Sequence, residues 1–266
     1  MIEKAYAKIN LTLEIVGKTK DYHLLESVVV PINIFDTLTF TKSDTDIVIS
    51  NVQIKNNNIY EAIKLFKETY NIKEHVKIIL DKQIPIAYGI GGSSADISAT
   101  LRGLNKFFNL NRPLKELEPL ANALGSDTLF CLYNKRAYIY GRGDKIKLLK
   151  SGEILSFLII FPEEKLLTKE VFKQYEKTNK SSYIGFLNKS PDYIINNLKN
   201  DLKDAAFSIN ENLKTLYEKL KKENLNIGLT GSGPAMFIVN PTKTEITRVK
   251  EILNNKVKYQ ITKEII

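Results

Sequence analysis

A single cysteine, Cys131, stands among the 266 residues, so neither a disulfide framework nor a cysteine-based zinc site can be built within one chain. Its setting, Leu129-Phe130-Cys131-Leu132, reads as a small buried apolar residue ahead of a catalytic thiol. No apolar run approaches the length of a membrane span. The first residues, Met1-Ile2-Glu3-Lys4-Ala5, lack the basic-then-apolar layout of a signal peptide, and a soluble, cytoplasmic protein with no membrane partner is the expectation. Blocks of like charge, internal repeats and aromatic-interleaved basic motifs are also missing, which argues against a nucleic-acid partner.

What is present is enough apolar residue, 43%, to bury a core as one large or two modest domains. The net charge of +9 is spread along the chain and favours anionic partners, nucleotides and phosphorylated metabolites above all. Alternating or apolar runs predict strands over residues 4–16, 27–40, 46–54, 76–80 and 136–149. Helical spacing covers 60–70, 97–108 and 113–124, the first preceded by asparagines suited to a cap. A polar break at Lys150-Ser151-Gly152 precedes a fresh pattern: a strand at 154–161, helices at 168–175, 191–198 and 201–222, strands at 226–230 and 235–239, a helix at 244–254 and a strand at 259–265. The expectation is an α+β chain of two layered lobes, residues 1–150 and 151–266.

Pro85-Ile86-Ala87-Tyr88-Gly89-Ile90-Gly91-Gly92-Ser93-Ser94-Ala95-Asp96 is the most informative stretch. Glycines allow a backbone to approach an anion, and the helix that follows offers unpaired N–H groups and a positive dipole end. Ser93 and Ser94 can donate to phosphate or to metal-bound water, or cap the helix. A phosphate cradle and a tight strand-to-helix turn both fit these residues. A Walker A loop and a dinucleotide-binding G-x-G-x-x-G do not. Lys8 and Asn10, two apart on a strand, share the face opposite Ile9 and Leu11 and so look toward solvent or a site. Asp127, just after a helix, could take a proton from a hydroxyl if a lysine were near. Each of these, taken singly, also fits an ordinary surface charge. Gly231-Ser232-Gly233-Pro234 joins two strands near the C-terminus, as a plain hairpin would.

Taken together and in order, Lys8-Ile9-Asn10, the loop from Gly89 to Ala95 and Gly231-Ser232-Gly233-Pro234 resemble the three signature motifs of the GHMP small-molecule kinases. Ala7-Lys8-Ile9-Asn10-Leu11, Asp21-Tyr22-His23, the segment from Asn57 to Ala62, Asp96, Leu124-Gly125-Ser126-Asp127 and Asn200-Asp201-Leu202 narrow the resemblance. They are similar to the branch acting on 4-(cytidine 5′-diphospho)-2-C-methyl-D-erythritol in the non-mevalonate route to isoprenoids. The resemblance implies a ribosomal-S5-like N-terminal lobe, a ferredoxin-like C-terminal lobe, and a site in the cleft between them. There the γ-phosphoryl of ATP would pass to the acceptor's 2-hydroxyl. It implies Asp127 as general base, Lys8 as the group that positions the hydroxyl and this carboxylate, and Asn10 as orienting the acceptor. Tyr22 and His23 would read cytosine, with Phe172 as a second stacking ring and Thr168 as a polar contact. Asn57, Pro85, Gly89, Ile90, Gly91, Gly92, Ser93, Ser94, Ala95, Gly231, Ser232 and Gly233 would hold ATP, with Mg²⁺ carried on its phosphates and Ser94 as a candidate ligand. Ala87 and Tyr88 stand where the family has glycines, Tyr88 adding bulk near the nucleotide. Related kinases for mevalonate, phosphomevalonate or homoserine share the fold, as would a non-catalytic binding protein. The first lack reason for Tyr22-His23, and the second would have no need of both Lys8 and Asp127. A monomer and a homodimer are equally compatible with the chain.

Overall fold

A computed structural model describes residues 1–20, 22–54, 57–150, 152–178 and 183–265. Asp21 and Ser151, both in motifs singled out above, lie outside them. Strand β1 (Ile2–Asn10) is separated from β2 (Thr12–Lys18) at Leu11, which divides the single strand expected over 4–16. The break follows from competition for the backbone: the Asn10 N–H donates to Thr230 Oγ1 at 3.0 Å and the Leu11 N–H to the Val28 carbonyl at 2.8 Å. The long β3 (His23–Ser43) is the spine of an eight-stranded sheet. It pairs antiparallel with β1, β2, β5 (His75–Asp81) and β6 (Ala137–Gly141). The short β4 (Ile47–Ser50), narrower than the expected 46–54, lies parallel to β5. The strand expected over 136–149 is a hairpin of β6 and β7 (Lys145–Leu148), turned by Gly141 and Gly143 at positive φ.

Helices α1 (Ile59–Tyr70), α2 (Gly92–Phe107), α3 (Leu114–Leu124) and α4 (Thr128–Tyr133) belong to this half of the chain. The first of them has Asn58 at its cap without a side-chain cap bond, while Asn57 Oδ1 accepts the Ile59 N–H at 3.1 Å. The second starts five residues before the expected 97, and its cap is Gly91 in the left-handed region rather than a serine. Ser93 and Ser94 are therefore inside the first turn, free to face the cleft.

Strand β8 (Ser156–Phe161) opens a second, four-stranded sheet. The next segment contains α5 (Thr168–Thr178), α6 (Pro191–Asn196) and β9 (Lys199–Asn200), which returns to the first sheet beside β2. It continues through α7 (Lys203–Ile209) and α8 (Glu211–Lys221), which divide the helix expected over 201–222. The division falls at Asn210, whose side chain accepts the Leu213 N–H and so starts α8 afresh. Strands β10 (Ile227–Leu229) and β11 (Met236–Val239), helix α9 (Lys243–Leu253) and β12 (Lys258–Lys263) complete the chain. The spatial order β10-β11-β8-β12 is that of a ferredoxin-like βαββαβ unit.

Alternation along β8 divides the interior. Phe157, Ile159 and Phe161 join the core under β1 and β3, while Leu158 and Ile160 join a second core with Val171, Leu213 and Val249. The two sheets thus share buried surface and hold the cleft between them.

Candidate functional site

Four consecutive residues at the end of β1 are buried, because both faces of the strand are covered. Ala7 and Ile9 enter the core; Lys8, only 3% exposed, and Asn10 face the cleft. The Lys8 ammonium donates to Asn10 Oδ1 and lies 3.2 Å from Asp127 Oδ2. Asn10 Nδ2 in turn donates to Ser27 Oγ at 2.8 Å, which fixes the amide with its oxygen toward the lysine. Asp127 is at the junction of α3 and α4 with its carboxylate partly open to the cleft. A buried cation thus holds a half-open carboxylate, an arrangement that can orient a hydroxyl and accept its proton.

The loop before α2 is bound to this pair. The Lys8 N–H donates to the Ile90 carbonyl at 2.9 Å, and a Cβ on Gly91 would meet Lys8 Cγ at 2.9 Å. Gly89 packs backbone to backbone against the second glycine turn: a Cβ there would lie 2.6 Å from the Thr230 carbonyl, and one on Gly231 would lie 2.7 Å from the Gly89 carbonyl. Asn200 Nδ2 holds that turn by donating to the Leu229 and Gly231 carbonyls at 2.7 and 2.8 Å. The first ladder bond of α2 runs from the Ala95 N–H to the Gly91 carbonyl, so the N–H groups of Gly92, Ser93 and Ser94 stand outside the ladder, on residues that line the cleft.

Beneath the loop the Lys82 ammonium is shared by Asp36 and by Asp96 Oδ2, the latter at 2.7 Å. Asp36 also accepts the N–H groups of Gln83 and Ile84. Burial pushes Asp96 above the ordinary carboxylate range, to about 8; Lys82 opposes this and the Asp36 charge adds to it. Asp36 and Lys82 had no sequence signal as a pair, since they lie in separate strands and loops without a shared motif. Burial likewise raises the Cys131 thiol to about 12, in keeping with an inert apolar role.

At the other end of the cleft Tyr22 is 51% exposed, and His23 stacks on Phe172 with ring centroids 5.2 Å apart and planes at 29°. Thr168 Oγ1 lies 2.9 Å from Ser232 Oγ, which joins the start of α5 to the second glycine turn. One cavity of about 790 Å³ connects all of these with Asn57, Pro85 and the loop. Two expected members do not line it. The Ala95 methyl is buried in the core, and Gly233 sits behind the turn against Leu229. Ala87 adopts φ 67° as a glycine would, and the Tyr88 ring packs edge-on against Phe161 with its hydroxyl donating to the Pro162 carbonyl at 2.8 Å. The bulk of Tyr88 therefore ties the loop to the end of β8.

Residues 57–135 match the GHMP kinases N terminal domain and residues 185–258 match the GHMP kinases C terminal region. The chain belongs to the GHMP kinases. It is 38% identical over 255 residues, 88% of this chain and 89% of its relative, to the 4-diphosphocytidyl-2-C-methyl-D-erythritol kinase of Clostridium tetani, which places it in that branch of the GHMP kinases. Its fold matches the crystal structure of 4-(cytidine 5′-diphospho)-2C-methyl-D-erythritol kinase with a TM-score of 0.81 at 24% identity, over 99% of both chains. Homoserine kinase from Cytophaga hutchinsonii matches with a TM-score of 0.74 at 15% identity, over all of this chain and 95% of that one, and shows the same fold. As a GHMP kinase it is an ATP-dependent phosphotransferase with the two-lobed α/β architecture of the family. No helix among the described residues of this GHMP kinase is long and apolar enough to cross a membrane.

Proposed function

We propose that this GHMP kinase phosphorylates the 2-hydroxyl of 4-(cytidine 5′-diphospho)-2-C-methyl-D-erythritol at the expense of ATP, in the cytoplasm, as a step toward isoprenoid precursors. The observation that carries this reading is the Lys8–Asp127 pair, set in one continuous cavity between the glycine loop and the rings of Tyr22, His23 and Phe172. Lobes meeting near residue 150 would supply the two walls.

Phosphoryl transfer asks chiefly for alignment and for neutralised charge. The N–H groups opening α2 and the two glycine turns bind the nucleotide phosphates. Asn57 and Pro85 border the end of the cavity where adenine would lie. Asp127 takes the acceptor's hydroxyl proton as the oxygen attacks the γ-phosphorus and the bond from that phosphorus to the β–γ bridging oxygen breaks, with ADP as the leaving group. Lys8 holds that carboxylate in place and balances the charge that develops, while Asn10 keeps the lysine in register. Tyr22 and Phe172 offer π faces to cytosine, and His23 a hydrogen-bonding edge.

Mg²⁺ bound with ATP would neutralise its phosphate charge. Among the described residues no group of three or more His, Cys, Asp or Glu side chains converges. Mg²⁺ takes oxygen donors, chiefly phosphate oxygens and water, and the Ser94 hydroxyl that lines the cavity is the candidate protein ligand.

The test is ADP release with the cytidine acceptor, mevalonate and homoserine in parallel. Turnover with the cytidine acceptor alone is expected, and Asp127→Asn should lose about 10²–10⁴-fold in kcat. Preference for another acceptor would overturn the substrate, and undiminished turnover by the variant would remove Asp127 as the base.

A further inference from the structure

The turn between β6 and β7 brings an arginine into the cleft that no motif marked. Gly143, at φ 99°, packs so closely on the loop carrying the base that a Cβ there would lie 2.7 Å from the Ser126 carbonyl. Arg142, just before it, is therefore carried on a turn that packs against the residue preceding Asp127, and both residues line the cavity. Its guanidinium lies 5.4 Å from the centroid of the Tyr22 ring and lines the cavity. Nη2 donates to the Asn122 carbonyl at 3.2 Å, and Asp144, which accepts the Arg142 N–H at 3.0 Å, has its other oxygen 3.6 Å from Nε. That last distance is well beyond the about 2.7–2.9 Å of a charge-assisted hydrogen bond. Asp144 thus steers the guanidinium without consuming its donor fork.

The other cations lining the cavity are differently placed. Lys8 is engaged by Asn10 and Asp127, Lys82 is buried between Asp36 and Asp96, and Lys169 follows Thr168 beside the second glycine turn. Among these, the Arg142 guanidinium is the one set over the Tyr22 ring, with Nη2 bonded to Asn122 near the end of α3. The proposed acceptor has the same linear order: a hydroxyl for Asp127 at one end, cytosine for Tyr22 at the other, and a diphosphate between. We infer that Arg142 binds the diphosphate of the acceptor and so selects nucleoside diphosphate conjugates over uncharged nucleosides. A planar guanidinium suits both tasks, stacking on the tyrosine by its face and offering paired N–H groups to phosphate oxygens at its edge. This inference rests on the cytidine reading above.

The experiment measures CDP and cytidine as competitive inhibitors against the cytidine acceptor in wild type, Arg142→Gln and Arg142→Lys, with melting temperatures confirming the fold. Loss of the cation over the Tyr22 ring would weaken both inhibitors through Tyr22, so the ratio of their inhibition constants is the decisive quantity. Wild type is expected to prefer CDP, Arg142→Gln to lose about 10- to 100-fold of that preference, and Arg142→Lys to keep part of it, with KM for ATP unmoved. A wild type that prefers CDP alongside an Arg142→Gln variant with the same ratio would overturn the role of Arg142 and leave the cytidine reading standing. Failure of both ligands to compete in wild type would overturn the cytidine reading, and this inference with it.

Discussion

Alanine at Gly91 is expected to cripple turnover while leaving the protein folded. Gly91 has φ 76°, and a Cβ built on it would lie 2.9 Å from Lys8 Cγ and 3.1 Å from Cε. Carbon atoms in ordinary contact keep about 3.5–4.0 Å, so the lysine stem must retreat by roughly 0.5–1 Å. The left-handed backbone adds about 1–2 kcal/mol for a residue with a side chain. In a chain of this size that lowers Tm by roughly 2–8 °C. Retreat of Lys8 has a sharper consequence, because its buried ammonium is fixed between Asn10 and Asp127. A displacement of about 1 Å in a positioned group costs about 10²-fold in rate. With both substrates saturating, ADP release should therefore fall by about 10²-fold, far more than the stability change alone would produce. Wild-type kcat in a folded Gly91→Ala protein would refute the reasoning, since it would mean that the position of Lys8 does not limit the chemistry.

Gly103→Ala is the complementary case: its Cβ would fall 2.2 Å from Phe40 Cζ, inside the core and away from the cleft, so thermal melting should show a loss of about 1–3 kcal/mol with kcat per folded molecule unchanged. Tyr22→Ala is expected to raise KM for the cytidine acceptor by about 10-fold or more while KM for ATP stays constant; equal shifts in both would count against a base-stacking role. Asp96→Asn tests the buried triad by pH. With its carboxyl raised to about 8, folded Asp96 retains a proton that the unfolded chain releases above about 4, so wild-type stability falls as pH rises between those values. Asparagine cannot ionise, and the variant should therefore gain Tm relative to wild type between about pH 5 and 8; parallel profiles would show that Asp96 is not proton-linked to folding.

Local patterns made most of the strands and helices legible. The alternation of Ile9, Leu11 and Leu13 and the 3.6-residue spacing of Ile63, Phe66 and Tyr70 are properties of short segments. The misplaced boundaries share a cause. The break at Leu11 is imposed by Thr230 and Val28, distant in sequence, and the start of α2 by a glycine whose left-handed conformation replaces a serine cap. Helix α4 carries no periodic signal, because its run Thr128-Leu129-Phe130-Cys131-Leu132-Tyr133 is too short and too uniformly apolar to show one. The exclusion of Ala95 and Gly233 from the cavity follows from side-chain direction within a motif, which spacing does not report.

The chain by itself determined which chemical groups are available. Its motifs contain a lysine on a strand, a carboxylate after a helix, two glycine turns and a Tyr-His pair, and their order suffices to name the family. Only the tertiary structure decided which of these groups touch. Packing of β1 against the loop and against the α3–α4 junction brings Lys8 within 3.2 Å of Asp127. The same packing buries Asp36, Lys82 and Asp96 as a unit, and the β6–β7 turn sets the Arg142 guanidinium over the Tyr22 ring. Those contacts join segments far apart along the chain, and their distances arise from how the two sheets bury a shared core rather than from any local preference of the residues involved.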